Sequence, residues 1–441
     1  MKILVLDPYP QRPWRISKDT SGGYGTANRF GDGLIARMIT RLVAKELDWP
    51  PVSSVYLLGV LRQKGHEVSY SRDWRDARGM DLCFVTSSIV AHETEVDAIR
   101  QVAELGVHVG AIGPFATSLP GQYIKAGGFV IGGEPEMYAY NYDITEESVA
   151  KMKGVLPAGP MAELDDLPWP AWDVVSTVAK PRFKLLGGSQ IMMPIQATRG
   201  CPYSCFEYCV YPLQQGRKVR TRNPQKIVEE MCHWQDELGI TLFVFRDPVF
   251  SINRKHTLEF CDAIEASGRT FSFVAETHLN NIDDELAKRL RSVGLEMIKV
   301  GIETVNPDAI EESSRFSIQA DEQETRIRML EELGIDVACF YILGMPGDTM
   351  EAFYRTLNYA KRLNTLFAQI SVFTPYPGTP AFQNFEKSVT ADKYENFTQY
   401  DLVFKHPSFS PRQIRKLLGK AYSIYYTRPR WIIKYLSMRF A

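Results

Sequence analysis

Three cysteines within nine residues are the part of this sequence best suited to chemistry. Cys201, Cys205 and Cys209 follow an apolar segment and are interspersed with Pro, Tyr and Ser. Thiolates favour zinc, copper(I) or iron–sulfur clusters. A structural zinc site usually has four ligands, commonly as two separated pairs, and no second Cys pair or close His pair follows here. The spacing therefore predicts a [4Fe-4S] cluster with one iron left open. Three structural thiols are the less favoured alternative.

The composition excludes several classes of protein. The chain has 441 residues and a formal net charge of −1, which disfavours a general nucleic-acid binder. The opening apolar run is too short for a signal peptide, and no apolar run reaches the ~18 residues of a membrane-spanning helix. Seven cysteines, three of them clustered, favour a reducing compartment over a disulfide framework. We predict a cytoplasmic protein of two or three domains.

The first third of the chain alternates between strand and helix patterns, which predicts a doubly wound parallel α/β sheet. The predicted strands are Ile3–Leu6, Val68–Ser71, Leu82–Thr86, Val107–Ile112 and Phe129–Ile131. Helices are predicted at 55–64 and 94–105. Such sheets bind ligands at the carboxyl ends of their strands. The candidate ligand-binding residues at those ends are Thr86, Ser87, Ser88, Gly113, Gly132, Gly133 and Glu134.

A second alternation begins near residue 190 and places the cysteines after its first strand. The predicted strands are Met192–Ala197, Leu242–Phe245, Phe271–Ala275, Met297–Val300, Val337–Leu343 and Phe367–Phe373. Predicted helices include Pro224–Leu238, 283–293 and 322–333. Each strand ends in Gly, Pro or a polar residue, which is typical of a β/α barrel with its active site at one rim. The predicted domains are 1–145, a Pro-rich linker at 146–188, the barrel at 189–385, and a helical region at 386–441.

Three other stretches have sequence patterns that indicate a function less specifically than the cysteines do. The glycines at 22–25 lack the spacing of a nucleotide fingerprint, so we interpret that segment as a loop near the interdomain cleft. The basic stretch 216–222 favours a solvated bridge over an anion site. The tail after Ser410 is basic, without acidic residues, and has apolar residues interleaved. This pattern fits either a helix on an anionic membrane or, as we favour, a helical cap on the barrel.

The cysteine loop resembles that of the radical S-adenosylmethionine superfamily, Cys-x3-Cys-x-aromatic-Cys, in which the loop follows the first strand of a (β/α)6 partial TIM barrel. Tyr208 matches the aromatic residue, but three residues separate Cys205 and Cys209 where two are usual. The resemblance implies a [4Fe-4S] cluster on the three thiolates and S-adenosyl-L-methionine on its open iron. An external electron donor such as flavodoxin or ferredoxin would then start the formation of a 5′-deoxyadenosyl radical.

Other strand ends of the second half also resemble this superfamily, at 245–250, 301–303, 344–347 and 376–380. By this resemblance, Arg246 and Asp247 lie beside the methionine part of S-adenosyl-L-methionine. Glu276 and Glu303 face its ribose or amino group, and Gly344 passes its adenine.

The first third resembles the cobalamin (vitamin B12)-binding domain of one subgroup, at 65–68, 86–88 and 132–136. The Asp-x-His-x-x-Gly motif of mutase-type domains does not occur, and many members of this subgroup lack it too. The resemblance implies cobalamin-dependent radical methylation of an unactivated carbon in a small-molecule or lipid-like substrate. The alternatives are a non-methylating radical reaction (cyclisation, rearrangement or oxidation) and a non-catalytic cobalamin or iron–sulfur protein.

Overall fold

Two parallel sheets, one after the other along the chain, form the framework of the computed structural model. The structure describes residues 1–44, 49–159, 163–175, 182–183, 189–203, 205–312 and 318–440. Parts of the predicted linker and Ser204 of the cysteine loop lie outside these residues.

The first sheet has the strand order β2-β1-β3-β4-β5-β6, with all pairings parallel. Its strands are β1 Lys2–Leu6, β2 Glu67–Ser71, β3 Leu82–Thr86, β4 His108–Ile112, β5 Phe129–Gly132 and β6 Val155–Pro157. Its helices are α1 Leu34–Val43, α2 Val52–Gln63, α3 His92–Glu104, α4 Pro114–Ser118, α5 Gly121–Lys125, α6 Pro135–Asn141 and α7 Glu146–Ala150. The central strands are continuous apolar runs because helices cover both faces of the sheet. The predicted doubly wound sheet is confirmed.

One strand of this sheet and one helix of the first domain depart from the prediction. The edge strand β6 lies inside the segment predicted to be linker. It has three residues, ends in proline and is partly exposed, so it has no apolar pattern. Helix α1 was not predicted, because part of its apolar surface faces solvent. The two predicted helices are present as α2 and α3, and each begins two or three residues earlier than expected.

The second sheet runs in sequential order from β7 to β12, again with parallel pairings. Its strands are β7 Met192–Ile195, β8 Leu242–Phe245, β9 Phe273–Glu276, β10 Leu295–Glu303, β11 Asp336–Leu343 and β12 Phe367–Val372. The helices between the strands are α8 Tyr211–Gln215, α9 Pro224–Leu238, α10 Arg254–Ser267, α11 Asp284–Ser292, α12 Pro307–Glu312, α13 Ala320–Glu332 and α14 Met350–Leu363. This arrangement confirms the predicted partial barrel. Strand β10 is longer than predicted, because Glu296 and Gly301 interrupt the apolar pattern next to the two predicted ends.

The chain ends in α15 Pro380–Phe385, α16 Pro411–Tyr426 and α17 Pro429–Phe440. Helix α16 covers the edge strand β12. The Tyr422 hydroxyl accepts from Ile370 N and donates to Ile370 O, both at 3.0 Å. Tyr426 makes the same pair of bonds with Ala368. These hydroxyls satisfy an otherwise open sheet edge, so the predicted helical cap is confirmed. Among the described residues, none of the helices combines the length and apolar character needed to cross a membrane.

Candidate active site between the two sheets

A cavity of about 430 Å³ lies at the carboxyl ends of the barrel strands. Its other wall is the segment of the first domain between Arg15 and Asn28. The titratable side chains that line the cavity are Arg15, Asp19, Cys201, Tyr203, Cys205, Tyr208, Cys209, Tyr211, Arg246, Glu276, His278, Lys299, Glu303 and Tyr376. The predicted barrel rim thus brings the three cysteines together with Arg246, Glu276 and Glu303.

The backbone around the cysteine loop is held from both sides. Gly200 has φ +89°, and a Cβ there would lie 2.1 Å from the carbonyl oxygen of Lys218, so this turn requires glycine. Gly200 N donates to Gln215 Oε1 at 3.1 Å, and Cys201 N donates to Gly216 O at 3.2 Å. Residues 198–199 also pair with 220–221 as a short antiparallel ribbon. The basic stretch 216–222 therefore braces the loop, while Gly216, Arg217 and Lys218 are exposed as expected for a solvated bridge.

The thiols are in an environment that favours their protonated form. Burial raises the pKa of Cys209 to about 12, and the neighbouring Cys205 and Cys201 add to this effect. Burial also raises the pKa of Cys201. Among the described residues, no three His, Cys, Asp or Glu side chains already stand in metal-binding geometry. Three soft donors on one cavity wall nevertheless fit an iron–sulfur cluster, whose positive irons would stabilise the thiolates.

Arg246 and Asp247 have different surroundings although they are adjacent. Arg246 lines the cavity, and its Nε lies 2.7 Å from Asp19 Oδ2 of the first domain. Asp247 is buried, and its carboxylate accepts from the backbone N–H of Ala197 (3.1 Å) and Thr198. Burial raises the pKa of Asp247 to about 6, despite those hydrogen bonds. The structure thus places Asp247 beneath the start of the cysteine loop, where it fixes the end of β7.

Glu276 and Lys299 are direct neighbours across strands β9 and β10, and both side chains line the cavity. Burial, and next to it the charge of Arg246, lowers the pKa of Lys299 to about 8. Burial raises the pKa of Glu276, against the attraction of Lys299. Sequence reasoning placed Lys299 inside the predicted strand Met297–Val300 and assigned it no role in the site. Its position two residues before Gly301 and four before Glu303 is the signal that puts it on the same face.

The strained backbone of the described chain is concentrated at this cavity. Five non-glycine residues among those the structure describes have positive φ: Ser21, Glu207, Glu303, Asn364 and Gln399. Asn364 is the left-handed C-cap of α14, and the other four belong to the cavity or the cysteine loop. Ser21, Glu303 and Gln399 line the cavity, and Glu207 lies between two of the cysteines. Glu303, at φ +67°, also accepts a hydrogen bond of 2.7 Å from the Tyr208 hydroxyl. Such conformations persist only where the surroundings impose them, as at functional sites.

Gly344 ends strand β11 with φ +67°. A Cβ there would lie 3.3 Å from Ile414 Cδ1 of the cap helix α16. The structure therefore places Gly344 against the C-terminal cap, where a side chain would press on α16.

The candidate hydroxyls at the first sheet are part of a buried network. Thr86 donates to Asp7, and Ser88 Oγ donates to Glu95 at 2.8 Å. Ser87 Oγ accepts from Ala116 N at 3.0 Å. At the centre, the fully buried Lys18 ammonium lies 3.1 Å from Asp7 and 2.9 Å from Glu95. Thr86, Ser87 and Ser88 thus stabilise the strand ends from within.

The segment around Tyr24 covers the first sheet at the carboxyl ends of its strands. The Tyr24 hydroxyl donates to Pro377 O of the barrel at 2.8 Å and lies 2.6 Å from Ser118 Oγ. A Cβ on Gly23 would lie 2.9 Å from Pro114, so the segment packs directly on the strand-end loop. The cavity that remains, lined by Gly113, Gly133 and Glu134 among others, measures about 30 Å³. This is room for about one water, so a larger ligand at this edge requires the Tyr24 segment to move.

Two glutamates at this edge connect the domains. Arg199 Nη1 lies 2.5 Å from Glu134 Oε2 and 2.6 Å from Glu136 Oε1, and Arg220 also binds Glu134. Burial raises the pKa of Glu136, and the charge of Arg199 opposes this. Glu134, a candidate cofactor residue, therefore contacts the residue two positions before Cys201. Sequence reasoning assigned no role to Arg199.

Residues 195–360 match the family described as the Radical SAM superfamily. The matched range starts at the end of β7 and includes the cysteine loop and the strands through β11. This segment of the chain is therefore similar to the radical S-adenosylmethionine superfamily.

Three curated relatives are similar to parts of this chain. An uncharacterized methyltransferase of Pyrococcus horikoshii is 27% identical over 64% of this chain and 61% of the relative. The bacteriochlorophyllide d C-12(1)-methyltransferase of Chlorobaculum tepidum is 26% identical over 48% of this chain and 47% of its own. The anaerobic magnesium-protoporphyrin IX monomethyl ester cyclase of Cereibacter sphaeroides is 26% identical over 83% and 64%. The match thus covers less than two thirds of each relative.

Two solved structures share the fold of this chain. The methyltransferase TsrM from Kitasatospora setae, solved with cobalamin and a [4Fe-4S] cluster, superimposes with a TM-score of 0.68 and 16% identity. The match covers 97% of this chain and 89% of TsrM. The cobalamin-dependent enzyme OxsB gives a TM-score of 0.66 and 11% identity over 100% of this chain and 72% of OxsB. The likeness extends over both sheets and the cap.

Proposed function

We propose that this protein is a cobalamin-dependent radical S-adenosylmethionine methyltransferase that acts on an unactivated carbon of a small-molecule or lipid-like substrate. The observation that carries the proposal is the position of Cys201, Cys205 and Cys209 on one wall of a 430 Å³ cavity at the barrel rim. Curated relatives named as methyltransferases support it, as does the two-domain fold shared with TsrM.

The three thiolates would hold the [4Fe-4S] cluster, with S-adenosyl-L-methionine beside it. When bound, the cluster and S-adenosyl-L-methionine supply a carbon radical, and cobalamin supplies the methyl group. The residues of the chain orient these groups. Glu276 and Glu303 offer carboxylates, and Arg246 and Lys299 offer positive charge, to a zwitterionic cosubstrate at rigid strand ends. The Arg15–Asn28 segment closes the cavity on its other side and so limits access of water.

Asp247 and Gly344 would contribute to the same site indirectly. Asp247 fixes the strand end before the cysteine loop, and Gly344 keeps the loop after β11 close to the cap. At the first sheet, the glycine-rich loops at Gly113, Gly132 and Gly133 are the surface on which cobalamin would lie once the Tyr24 segment has moved. Thr86, Ser87, Ser88 and Glu134 would support these loops from beneath.

A second candidate is a radical reaction without methyl transfer, such as cyclisation. The specific observation in its favour is the closed edge of the first sheet, where the cavity of about 30 Å³ leaves no room for a corrin unless Tyr24 moves. The named cyclase relative matches 83% of this chain, more than the two methyltransferases above. Product mass separates the two reactions, because methylation adds one methylene unit.

The proposal includes a cytoplasmic location and an external low-potential electron donor such as flavodoxin or ferredoxin. Both follow from the chemistry, since an exposed low-potential cluster needs a reducing compartment and a source of single electrons.

The test is anaerobic reconstitution of the full chain with iron and sulfide, with and without cobalamin. We expect about four irons per chain, a bound corrinoid in the visible spectrum, and 5′-deoxyadenosine after reduction with S-adenosyl-L-methionine. Cys205→Ala should lose the cluster, while Cys232→Ala, a half-buried thiol on α9, should keep it. Cluster and cleavage without corrinoid would favour the second candidate. A protein without a cluster would overturn both.

A further inference from the structure

Helix α1 presents an apolar stripe to solvent. Leu34, Met38 and Leu42 are spaced by four residues, so they lie on one side of the helix. Leu34 is 83% exposed, and the other two are about half exposed. The opposite side is held by the protein, because Ala36 is buried and Ile39 and Val43 pack against the core. The stripe is therefore the outer face of an anchored helix.

Helix α17, at the other end of the chain, also has an exposed apolar side and a side that is anchored to the protein. Ile432, Ile433 and Leu436 are exposed, Ile433 by 66%. The inner side of the helix is fixed to the barrel, since Trp431 Nε1 donates to Leu366 O and Lys434 Nζ donates to Asn364 O, both at 2.9 Å. Two helices from distant parts of the sequence thus expose apolar side chains next to basic ones.

Helix α16 connects these two helices in space. Asp32 N, just before α1, donates to Arg415 O of α16 at 3.0 Å. Gly31 allows this approach, because a Cβ there would lie 2.5 Å from Gly419 N. After Tyr426 the chain turns within two residues into α17. Helices α1, α16 and α17 therefore form one connected surface, which we call the cap surface.

The charge of the cap surface has one sign. The three helices contain no Asp or Glu, although the whole chain has a net charge of −1. Their exposed basic residues are Arg37, Arg41, Arg412, Lys416, Lys420 and Arg430. Lys434 pairs with Glu331, and Arg415 lies 4.0 Å from Asp32 and Asp401, so these two are partly neutralised. The remaining cations face solvent beside the two apolar stripes.

We propose that the cap surface binds the face of an anionic lipid bilayer. Apolar side chains on the outer side of a helix, flanked only by Lys and Arg, are the signature of interfacial binding. The apolar groups would enter the boundary between headgroups and acyl chains, and the cations would contact the acidic headgroups. An acidic protein could pair with the cations. A bilayer accounts better for six apolar side chains that project outward from two helices instead of lining a groove.

The test is flotation of the full-length reconstituted protein with vesicles of phosphatidylcholine alone or with about one third phosphatidylserine. We expect binding to the anionic vesicles, weakened by salt, and little binding to the neutral ones. The variant Leu34→Glu/Met38→Glu/Ile433→Glu should reduce the bound fraction at least roughly tenfold, because it replaces apolar groups with acidic ones. Arg37→Glu/Arg41→Glu should reduce it and lessen the salt dependence.

Val155→Glu is the matched control, since Val155 is a half-exposed apolar residue on β6, in the first domain. It should bind vesicles like the unchanged protein. Circular dichroism and iron content confirm that each variant is folded. Equal binding by the triple variant and the control would overturn the proposal, as would a lack of binding to anionic vesicles. Loss of binding to an acidic flavodoxin in the triple variant, without any vesicle binding, would assign the surface to a protein partner instead.

Discussion

Arg199 and Glu134 form a buried ion pair that joins the two domains next to the cysteine loop. Their Nη1 and Oε2 atoms lie 2.5 Å apart, and the side chains are 4% and 2% exposed. Glu136 shares the same guanidinium at 2.6 Å, and the guanidinium also lies over the ring of Tyr56. Arg199 directly precedes Gly200, so one arginine connects the start of the cysteine loop to the edge of the first sheet and to helix α2.

Replacing Arg199 should strongly destabilise the fold, because it leaves the buried Glu136 without its cation and leaves Glu134 with Arg220 alone. We expect Arg199→Met to lower the free energy of unfolding by about 3–5 kcal/mol. Denaturant unfolding measures the loss. The matched control is Arg62→Met, which removes an ion pair to Asp173 whose side chains are both nearly half exposed. Its cost should be at most about 1 kcal/mol. Equal effects of the two changes would contradict a structural role for the buried pair.

Binding of S-adenosyl-L-methionine should depend on pH near pH 8 because of Lys299. Below that pH the ammonium is charged and faces Glu276 in the cavity, and above it the charge is lost. We therefore expect binding of S-adenosyl-L-methionine to weaken as the pH rises through about 8. Lys299→Arg should keep the charge and remove this limb of the profile. Equilibrium dialysis of reconstituted protein between about pH 6 and 10 measures both. A limb that persists in the arginine variant would exclude Lys299 as its source.

The effect of Lys299 on folding stability runs in the opposite direction to its effect on binding. Because its pKa is lowered in the folded state, the folded protein binds fewer protons than the unfolded chain between about pH 8 and 10.5. The free energy of unfolding should therefore rise with pH across this window. In Lys299→Met the slope should disappear.

Asp247 should matter for the cluster although it does not contact it. Its carboxylate accepts from two backbone amides at the start of the cysteine loop. Asp247→Ala leaves those buried donors unpaired, at a cost of about 1–3 kcal/mol each. We expect lower stability and lower iron content after reconstitution, whereas Asp247→Asn, which keeps an acceptor oxygen, should retain most of both. Iron analysis and denaturant unfolding test this, and normal iron content in Asp247→Ala would contradict the positioning role.

The raised pKa of Asp247 also predicts the direction of a pH effect. Burial raises the pKa of Asp247 from its ordinary 3.8 to about 6, so the folded state binds more protons than the unfolded chain between these pH values. The stability contributed by the protonated group is thus lost as the pH rises through about 6, by an amount on the order of 3 kcal/mol. The Asp247→Asn variant should lack this slope.

Sequence patterns predict the strands and helices that are determined by residues close together in the chain. Strands β3 and β8 are continuous apolar runs between helices, and their ends were predicted to the residue. Helix α9 was predicted equally well, because Asn223 caps its start and Gly239 adopts the left-handed conformation at its end. The cysteine loop was found from three residues of one type.

Features that depend on long-range packing could not be predicted. Arg199 and Glu134 are 65 residues apart, and nothing local indicates that they meet. The hydroxyls of Thr86 and Ser88 suggested a binding surface, but Asp7, Lys18 and Glu95 engage them from within. Helix α1 lacks a clean apolar pattern because both of its sides carry apolar residues.

Tyr24 should control access to the edge of the first sheet. The Tyr24 hydroxyl donates to Pro377 O of the barrel and contacts Ser118 of the first domain. These two interactions join the segment to both domains in the closed arrangement. Tyr24→Phe removes those bonds and keeps the ring, so it should raise the fraction of protein with an open edge. Such a hydrogen bond contributes a net free energy of about 1 kcal/mol to the closed arrangement. Its loss therefore corresponds to roughly fivefold tighter apparent cobalamin binding. Tyr142→Phe, at a half-exposed position, should leave the affinity unchanged. Spectroscopic titration with cobalamin measures both, and equal affinities in the two variants would show that the Tyr24 hydroxyl does not hold the edge closed.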